Sequence, residues 1–168
     1  MTDDFENEVL VTGSKFLDIT GVKGTSSVME KIMSDNVDEL QILAYDITTN
    51  ATEFLNLLRK AIKRGVTTTL IYNTPRQKQM ELKSRADAIK ELERLSSEYS
   101  HFNFIPFPIG NKILHAKVVI ANRKRAYIGS SNFTWGGMSK NYEVGILVGE
   151  KESYVLSKIV DSLLPRDL

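Results

Sequence analysis

The stretch Ile113–Val148, ILHAKVVIANRKRAYIGSSNFTWGGMSKNYEVGILV, decides how this chain reads. It holds His115, one of two histidines, and Lys117 two positions later. Ile113–Ala121 is rich in Ile and Val and is bounded by Gly110-Asn111 and Asn122-Arg123, which predicts a strand. Side chains alternate along a strand, so Ile113, His115, Lys117 and Val119 share one face, while Leu114, Ala116, Val118 and Ile120 face a core. An imidazole and an ammonium then project side by side from a rigid element. That pairing suits an anion, with the lysine neutralising charge while the histidine attacks or moves a proton. Downstream, Ser130 and Asn132 supply a hydroxyl and an amide, and Gly129 lets backbone pass close by. Glu143 is a lone acid in an apolar segment and needs a partner. A nitrogen of the His115 ring is the natural one, because that hydrogen bond would fix the tautomer.

Each of these residues has an ordinary alternative. An isolated histidine is by default hydrogen-bonded in a core, Lys117 fits a strand edge, and Ser130 and Asn132 are turn formers. Their joint spacing favours a site. His101, in the HFNF segment, reads as structural. Phe133 and Trp135 read as packing for the turn Thr134–Met138, with base stacking as the less favoured use.

Composition sets outer bounds. The 168 residues suffice for one domain with a proper core, 42% are apolar and 26% charged, as in soluble globular proteins. No cysteine is present, so disulfides and thiolate metal sites are excluded. No H-x-E or D-x-D pair suggests a metal, and no cofactor is expected. No apolar run approaches the roughly 20 residues of a membrane span. The acidic start MTDDFENEVL lacks a signal-peptide pattern, and a cytoplasmic location is expected. Net charge is only +1, so attraction to nucleic acid must come from a local patch. Lys112, Arg123, Lys124, Arg125 and Lys140 lie near the motif and are the candidate phosphate-tracking residues.

In chain order, Val9–Thr12 and Phe16–Ile19 read as strands or a hairpin around Gly13. Ser27 with Glu30, and Asn50 with Glu53, have capping-box spacing and each opens a helix. Leu40–Ile47 and Val66–Tyr72 read as buried strands, and Gly65 as a C-terminal cap. Gln77–Tyr99 reads as a long charged helix with a thin apolar stripe, its charges forming a solvated face. Phe102–Ile105, Ala126–Ile128 and Glu143–Val148 read as strands. The final helix, Lys151–Leu164, is expected to bury Val155, Leu156, Ile159, Val160 and Leu163. The βαβ length of Leu40–Tyr72 implies parallel pairing, and the strands near the motif can add antiparallel pairs. The expected fold is α/β: one domain, residues 1–168, with a mixed, mainly parallel β-sheet sandwiched by helices.

His115, Lys117, Gly129, Ser130 and Asn132 resemble the signature of the phospholipase D superfamily, H-x-K-x4-D followed by G-S and Asn. Asn122 stands where that signature has Asp. Glu143 falls where relatives often carry a carboxylate that orients the histidine. The phrase Asn132-Phe133-Thr134 with the Gly136–Ser139 turn looks most like the nuclease branch, which includes small non-specific endonucleases and the catalytic part of a metal-independent restriction enzyme.

The resemblance implies a phospholipase D-like fold and a metal-independent phosphodiesterase in which His115 forms a phosphohistidine. Lys117, Ser130 and Asn132 would hold the phosphate, and Glu143 would orient His115. The family's reaction uses two histidines, and one motif copy therefore implies a homodimer with a shared site. DNA is the leading substrate, as a lone enzyme or as part of a larger restriction or defence system. The alternatives are a phospholipid-cleaving enzyme, disfavoured by the lack of a membrane-docking segment, and a decayed nucleic-acid-binding module, suggested by Asn122.

Overall fold

The fold grows from a right-length βαβ unit. LQILA supplies the apolar core of β3 (Glu39–Ala44), and the helix α3 (Thr52–Lys63) returns the chain to β4 (Thr67–Asn73). The two strands run parallel, with Leu40 opposite Thr68 and Ala44 opposite Tyr72. Gly65 takes φ +89° and its N–H caps Ile62 O, so it ends the helix in a conformation that favours glycine. The helix buries Phe54, Leu55, Leu58, Ala61 and Ile62 along one face.

This is a computed structural model describing residues 7–34, 36–76, 82–108 and 110–165. The remaining elements are β1 (Glu8–Thr12), a single helical turn α1 (Ser14–Leu17), β2 (Val22–Gly24), α2 (Thr25–Met33), α4 (Lys83–Glu98), β5 (Phe102–Phe107), β6 (Val118–Ala121), β7 (Arg125–Gly129), β8 (Glu143–Val148) and α5 (Glu150–Ser162). The eight strands form one sheet in the order β2-β1-β8-β7-β6-β3-β4-β5. It is a mixed sheet, as expected, but it is not mainly parallel: four of the seven strand pairings among the described residues are antiparallel, because the closely spaced motif strands β6, β7 and β8 pair that way. Strands β3, β4 and β5 run parallel, as do β1 and β2, and antiparallel pairs join the motif strands β6, β7 and β8 to their neighbours.

Helices cover both faces. On one face α2, α3 and α4 bury Met29, Met33, Phe54, Leu58 and Leu92 against Leu40, Ile42, Leu70 and Tyr127. On the other, α5 seats Val160 among Leu43, Ile71, Val118 and Ile120. Full burial of a Leu- or Phe-sized side chain stabilises by about 1.5–3 kcal/mol, so the sheet and its two apolar layers fix the frame.

Several sequence expectations are corrected. The Gly13 region is no hairpin: α1 and a crossover place β2 parallel to β1. Ser27 bonds back to Gly24 O, and helix α2 begins two residues earlier, at Thr25. Helix α4 starts at Lys83, and the expected start at Gln77 lies outside the described residues. On α5 the buried stripe is Ser153, Ser157 and Val160. Val155 and Ile159 are exposed, because small serines let the helix lie close to the sheet on a rotated face. Pro106 lies within β5, an edge strand, where its missing N–H costs no ladder bond.

Candidate active site

Regular strand structure starts only at Val118, not at Ile113. Upstream backbone groups are taken by side chains instead. Asn73, at the end of β4, accepts a hydrogen bond from Leu114 N at 3.0 Å. Lys117 Nζ donates to the His115 carbonyl at 2.8 Å. With those groups engaged, the segment cannot extend the β6 ladder, which ends at Val118 opposite Leu43. The two residues still converge: Lys117 Nζ is 3.1 Å from His115 Nδ1 and 3.2 Å from Nε2. His115 is exposed while Lys117 is only 5% exposed.

Two residues just beyond β3 complete this corner. The Tyr45 ring lies 4.4 Å from the His115 ring, and Lys117 Nζ lies 5.0 Å from the Tyr45 centroid. Asp46 is held by a two-pronged ion pair with Arg85, at 2.7 and 2.8 Å. Burial pushes the Lys117 ammonium below the ordinary lysine range, and the carboxylates of Glu143 and Asp46 partly offset this. Tyr45 and Asp46 were not singled out by sequence reasoning. Their signal is positional: they follow the carboxyl end of a buried parallel strand, where open α/β sheets place their ligands.

The Gly129–Asn132 segment arrives from the other side. Gly129 N donates to Lys117 O at 3.2 Å, and Phe133 N donates to Asp46 O at 3.1 Å, which stitches the loop between β6 and the end of β3. Phe133 is fully buried and stacks on Phe54, with centroids 4.1 Å apart. Glycine at 129 and 145 makes room for the buried Tyr127; a Cβ on Gly145 would lie 2.5 Å from the Tyr127 ring. Gly137, in the π-helical turn Gly136–Lys140, lets the chain pass Asn132, whose backbone N would lie 2.7 Å from a Cβ there. Asn132 Oδ1 is buried with no hydrogen-bond partner among the described residues, a pattern that marks a strained or ligand-completed group.

Glu143 does not bond His115 within the chain. Its carboxylate accepts hydrogen bonds from Ser130 Oγ and from Asn141 Nδ2, the latter at 3.2 Å. The reason is register: Glu143 begins β8 beside the end of β7, so Ser130 is its immediate neighbour, and Ser130 Oγ also accepts from Val144 N at 3.2 Å. His101 is structural, as expected, with Nε2 2.7 Å from Ile62 O.

The basic candidates divide. The turn Asn122–Lys124 lies at the far end of β6, roughly 15 Å from Lys117 at 3.3 Å per strand residue. Arg123 is committed to Glu39 at 2.9 Å and Asp161 at 2.6 Å, and these partners raise its pKa further. The placement of Arg123, Lys124 and Arg125 beside His115 is therefore corrected, because the β6–β7 hairpin points them away. Asn122 also stands apart from His115 and Lys117. Its Oδ1 accepts from Asp38 N at 2.9 Å and Glu39 N at 3.0 Å, and its Nδ2 donates to Asn36 O at 2.9 Å. Lys112 lies near the site and lines a pocket beside Tyr45. Lys140 sits 5.5 Å from the ring of Trp135, which is 53% exposed rather than packed. Among the described residues no group of three or more His, Asp or Glu side chains is placed to hold a metal. No helix among them is long and apolar enough to cross a membrane.

An exposed imidazole, a buried ammonium and a bridging loop thus gather at one end of the mixed sheet. The profile of the family described as "Cardiolipin synthase, PLD-like domain" matches residues 29–163, and the chain belongs to this phospholipase D-like family. Its fold is similar to that of Nuc, a phospholipase D family member from Salmonella typhimurium, with a TM-score of 0.70 at 19% identity over 94% of each chain. NucT from Helicobacter pylori gives 0.69 at 16% identity, again over 94% of each chain. In sequence, the DISARM protein DrmC of Bacillus paralicheniformis is 33% identical over 55 residues, 33% of this chain and 23% of that protein. Phospholipase D Y of Dictyostelium discoideum is 23% identical over 96 residues, 57% of this chain and 20% of its own length. The matched regions thus span about a fifth of these curated relatives.

Proposed function

We propose that the chain is a metal-independent phosphodiesterase that cleaves DNA through a phosphohistidine, with an active site completed by a second copy. The observation that carries this is the junction of exposed His115 with buried Lys117, 3.1 Å apart, beside the Ser130–Glu143 pair. An imidazole nitrogen of His115 attacks phosphorus, forming N–P while the P–O bond to the leaving strand breaks. Lys117 and the Asn132 amide hold the phosphoryl oxygens as charge builds on them. The leaving oxygen takes a proton from the imidazolium of His115 of the partner subunit. Water then gives its proton to that imidazole, attacks phosphorus, breaks N–P and releases a phosphomonoester. Glu143, which register pairs with Ser130 within one chain, orients the ring from across the two-fold axis.

Asn122, bonded to the backbone of Asp38, Glu39 and Asn36 and far from Lys117, supports reading the departure from the signature as structural. The likeness to Nuc, NucT and DrmC supports nucleic acid as substrate and a place in a larger restriction or defence assembly. The match to proteins named phospholipase D favours a phospholipid ester as the second reading. Plasmid cleavage in EDTA, run beside phosphatidylcholine hydrolysis, separates the two: DNA is nicked and lipid is spared. Light scattering should give a dimer; full activity from a monomer at micromolar concentration would remove the shared site.

A further inference from the structure

Next to the His115 corner lies an open pocket of about 260 Å³ at the carboxyl ends of the parallel strands β3, β4 and β5. Open α/β sheets bind ligands at such ends. Tyr45, Asn73, Thr74, Arg76 and Lys112 are among the residues that line it, and no acidic side chain does so among the described residues. Lys112 makes no ion pair or hydrogen bond among the described residues.

The pocket is coupled to the site by two contacts. The Tyr45 ring that lines it lies 4.4 Å from the His115 ring. Asn73, whose Oδ1 accepts from Leu114 N, fixes the backbone that carries both Lys112 and His115. Thr74, which also lines the pocket, donates through Oγ1 to Phe107 O at 2.6 Å. A chain with a phosphate at His115 and Lys117 would run past Tyr45 into this basic recess.

We propose that the recess is a subsite for the phosphate adjacent to the scissile one, held by Lys112 and Arg76, with the intervening nucleoside against Tyr45. This rests on the reading of the His115 site as a nucleic-acid phosphodiesterase, and it deepens that reading. The preferred substrate is a strand with at least two consecutive phosphodiesters, rather than any isolated phosphodiester. Lys112, which has no ion pair among the described residues, and the Arg76 guanidinium beside the same recess favour a second anion. A phospholipid with one phosphodiester leaves the recess unused.

The test compares TpT, with one phosphodiester, and TpTpT, with two. For the wild type, kcat/KM for TpTpT should exceed that for TpT by about tenfold or more, the gain expected from one charge-assisted contact pair. In Lys112→Ala/Arg76→Ala, and in the charge reversal Lys112→Glu, the ratio should fall towards about two, the statistical factor for two cleavable bonds. A ratio unchanged by either variant, or already near two in the wild type, overturns the subsite. A binding arm separates this from failure of the catalytic reading. In a His115→Ala background, fluorescence anisotropy with a thymidine oligonucleotide should give a log K against log salt slope less steep by about 0.7 per cation removed. Equal slopes overturn the subsite whether or not the wild type cleaves DNA.

Discussion

Lys117 Nζ sits 3.1 Å from His115 Nδ1 and at the same time donates to the His115 carbonyl at 2.8 Å. One ammonium thus grips the backbone of the histidine and faces its ring. Because Lys117 is buried, this arrangement places a fixed charge where a phosphoryl group would meet the imidazole.

The first prediction concerns pH. In the proposed mechanism Lys117 acts as an ammonium; burial lowers its pKa from the usual lysine range while Glu143 and Asp46 hold it up. The alkaline limb of kcat/KM should therefore fall at lower pH than an ordinary lysine would give. Removing a nearby carboxylate removes stabilisation of the charged form, so Glu143→Gln and Asp46→Asn should each move that limb lower still. A limb that stays put in both variants would show that Lys117 does not set it.

Tyr45 is the second case. Its ring meets both His115 and Lys117. Tyr45→Phe keeps that platform and should keep kcat within a few-fold. Tyr45→Ala removes an aromatic pair and a cation–π contact, together on the order of 1–2 kcal/mol, and should lower kcat about tenfold or more. Equal kcat in the two variants would mean that the ring does not position the histidine.

The sequence showed that His115 and Lys117 meet, but not most of the partners around them. The spacing of His115 and Lys117 marked a pair that converges, and Gly65 marked the end of α3. The reach of the His115 corner back to Tyr45, Asp46 and Asn73 was hidden, because the sheet brings the ends of β3 and β4, some 70 and 40 positions away in sequence, beside the start of β6. Glu143 was placed correctly on β8, but local patterning could not show that register gives it Ser130. Arg123, Lys124 and Arg125 looked near to His115 because sequence distance ignores the hairpin that turns them to the opposite end of the sheet.

Asn122 illustrates a structural residue inside a chemical signature. It accepts from two backbone N–H groups, donates to Asn36 O, and sits at φ +52°. Asn122→Ala leaves those donors unsatisfied and puts alanine in a left-handed conformation, costing about 2–4 kcal/mol. Asn122→Asp keeps the accepting oxygen and should cost less. Chemical denaturation should rank the three proteins in that order, while kcat of the folded fraction stays at the wild-type level. A large kcat loss in folded Asn122→Ala would tie this residue to catalysis after all.

Arg123 should likewise behave as a structural residue. Its pairs with Glu39 and Asp161 are about a third exposed, so solvent screening limits them to about 1 kcal/mol together. Arg123→Ala should lower Tm by roughly 2–4 °C and leave DNA affinity and its salt dependence as in the wild type. A shallower salt slope would place this hairpin on the substrate path.

The most direct test of the central claim is capture of the covalent intermediate. The protein is mixed with phosphate-labelled DNA in EDTA, quenched in alkali, which preserves phosphohistidine, and digested for mass spectrometry. The account predicts a peptide whose His115 carries a nucleotidyl phosphoryl group, the strand that stays bonded to phosphorus, and none from His115→Ala. Cleavage that requires magnesium and leaves His115 unmodified would contradict it.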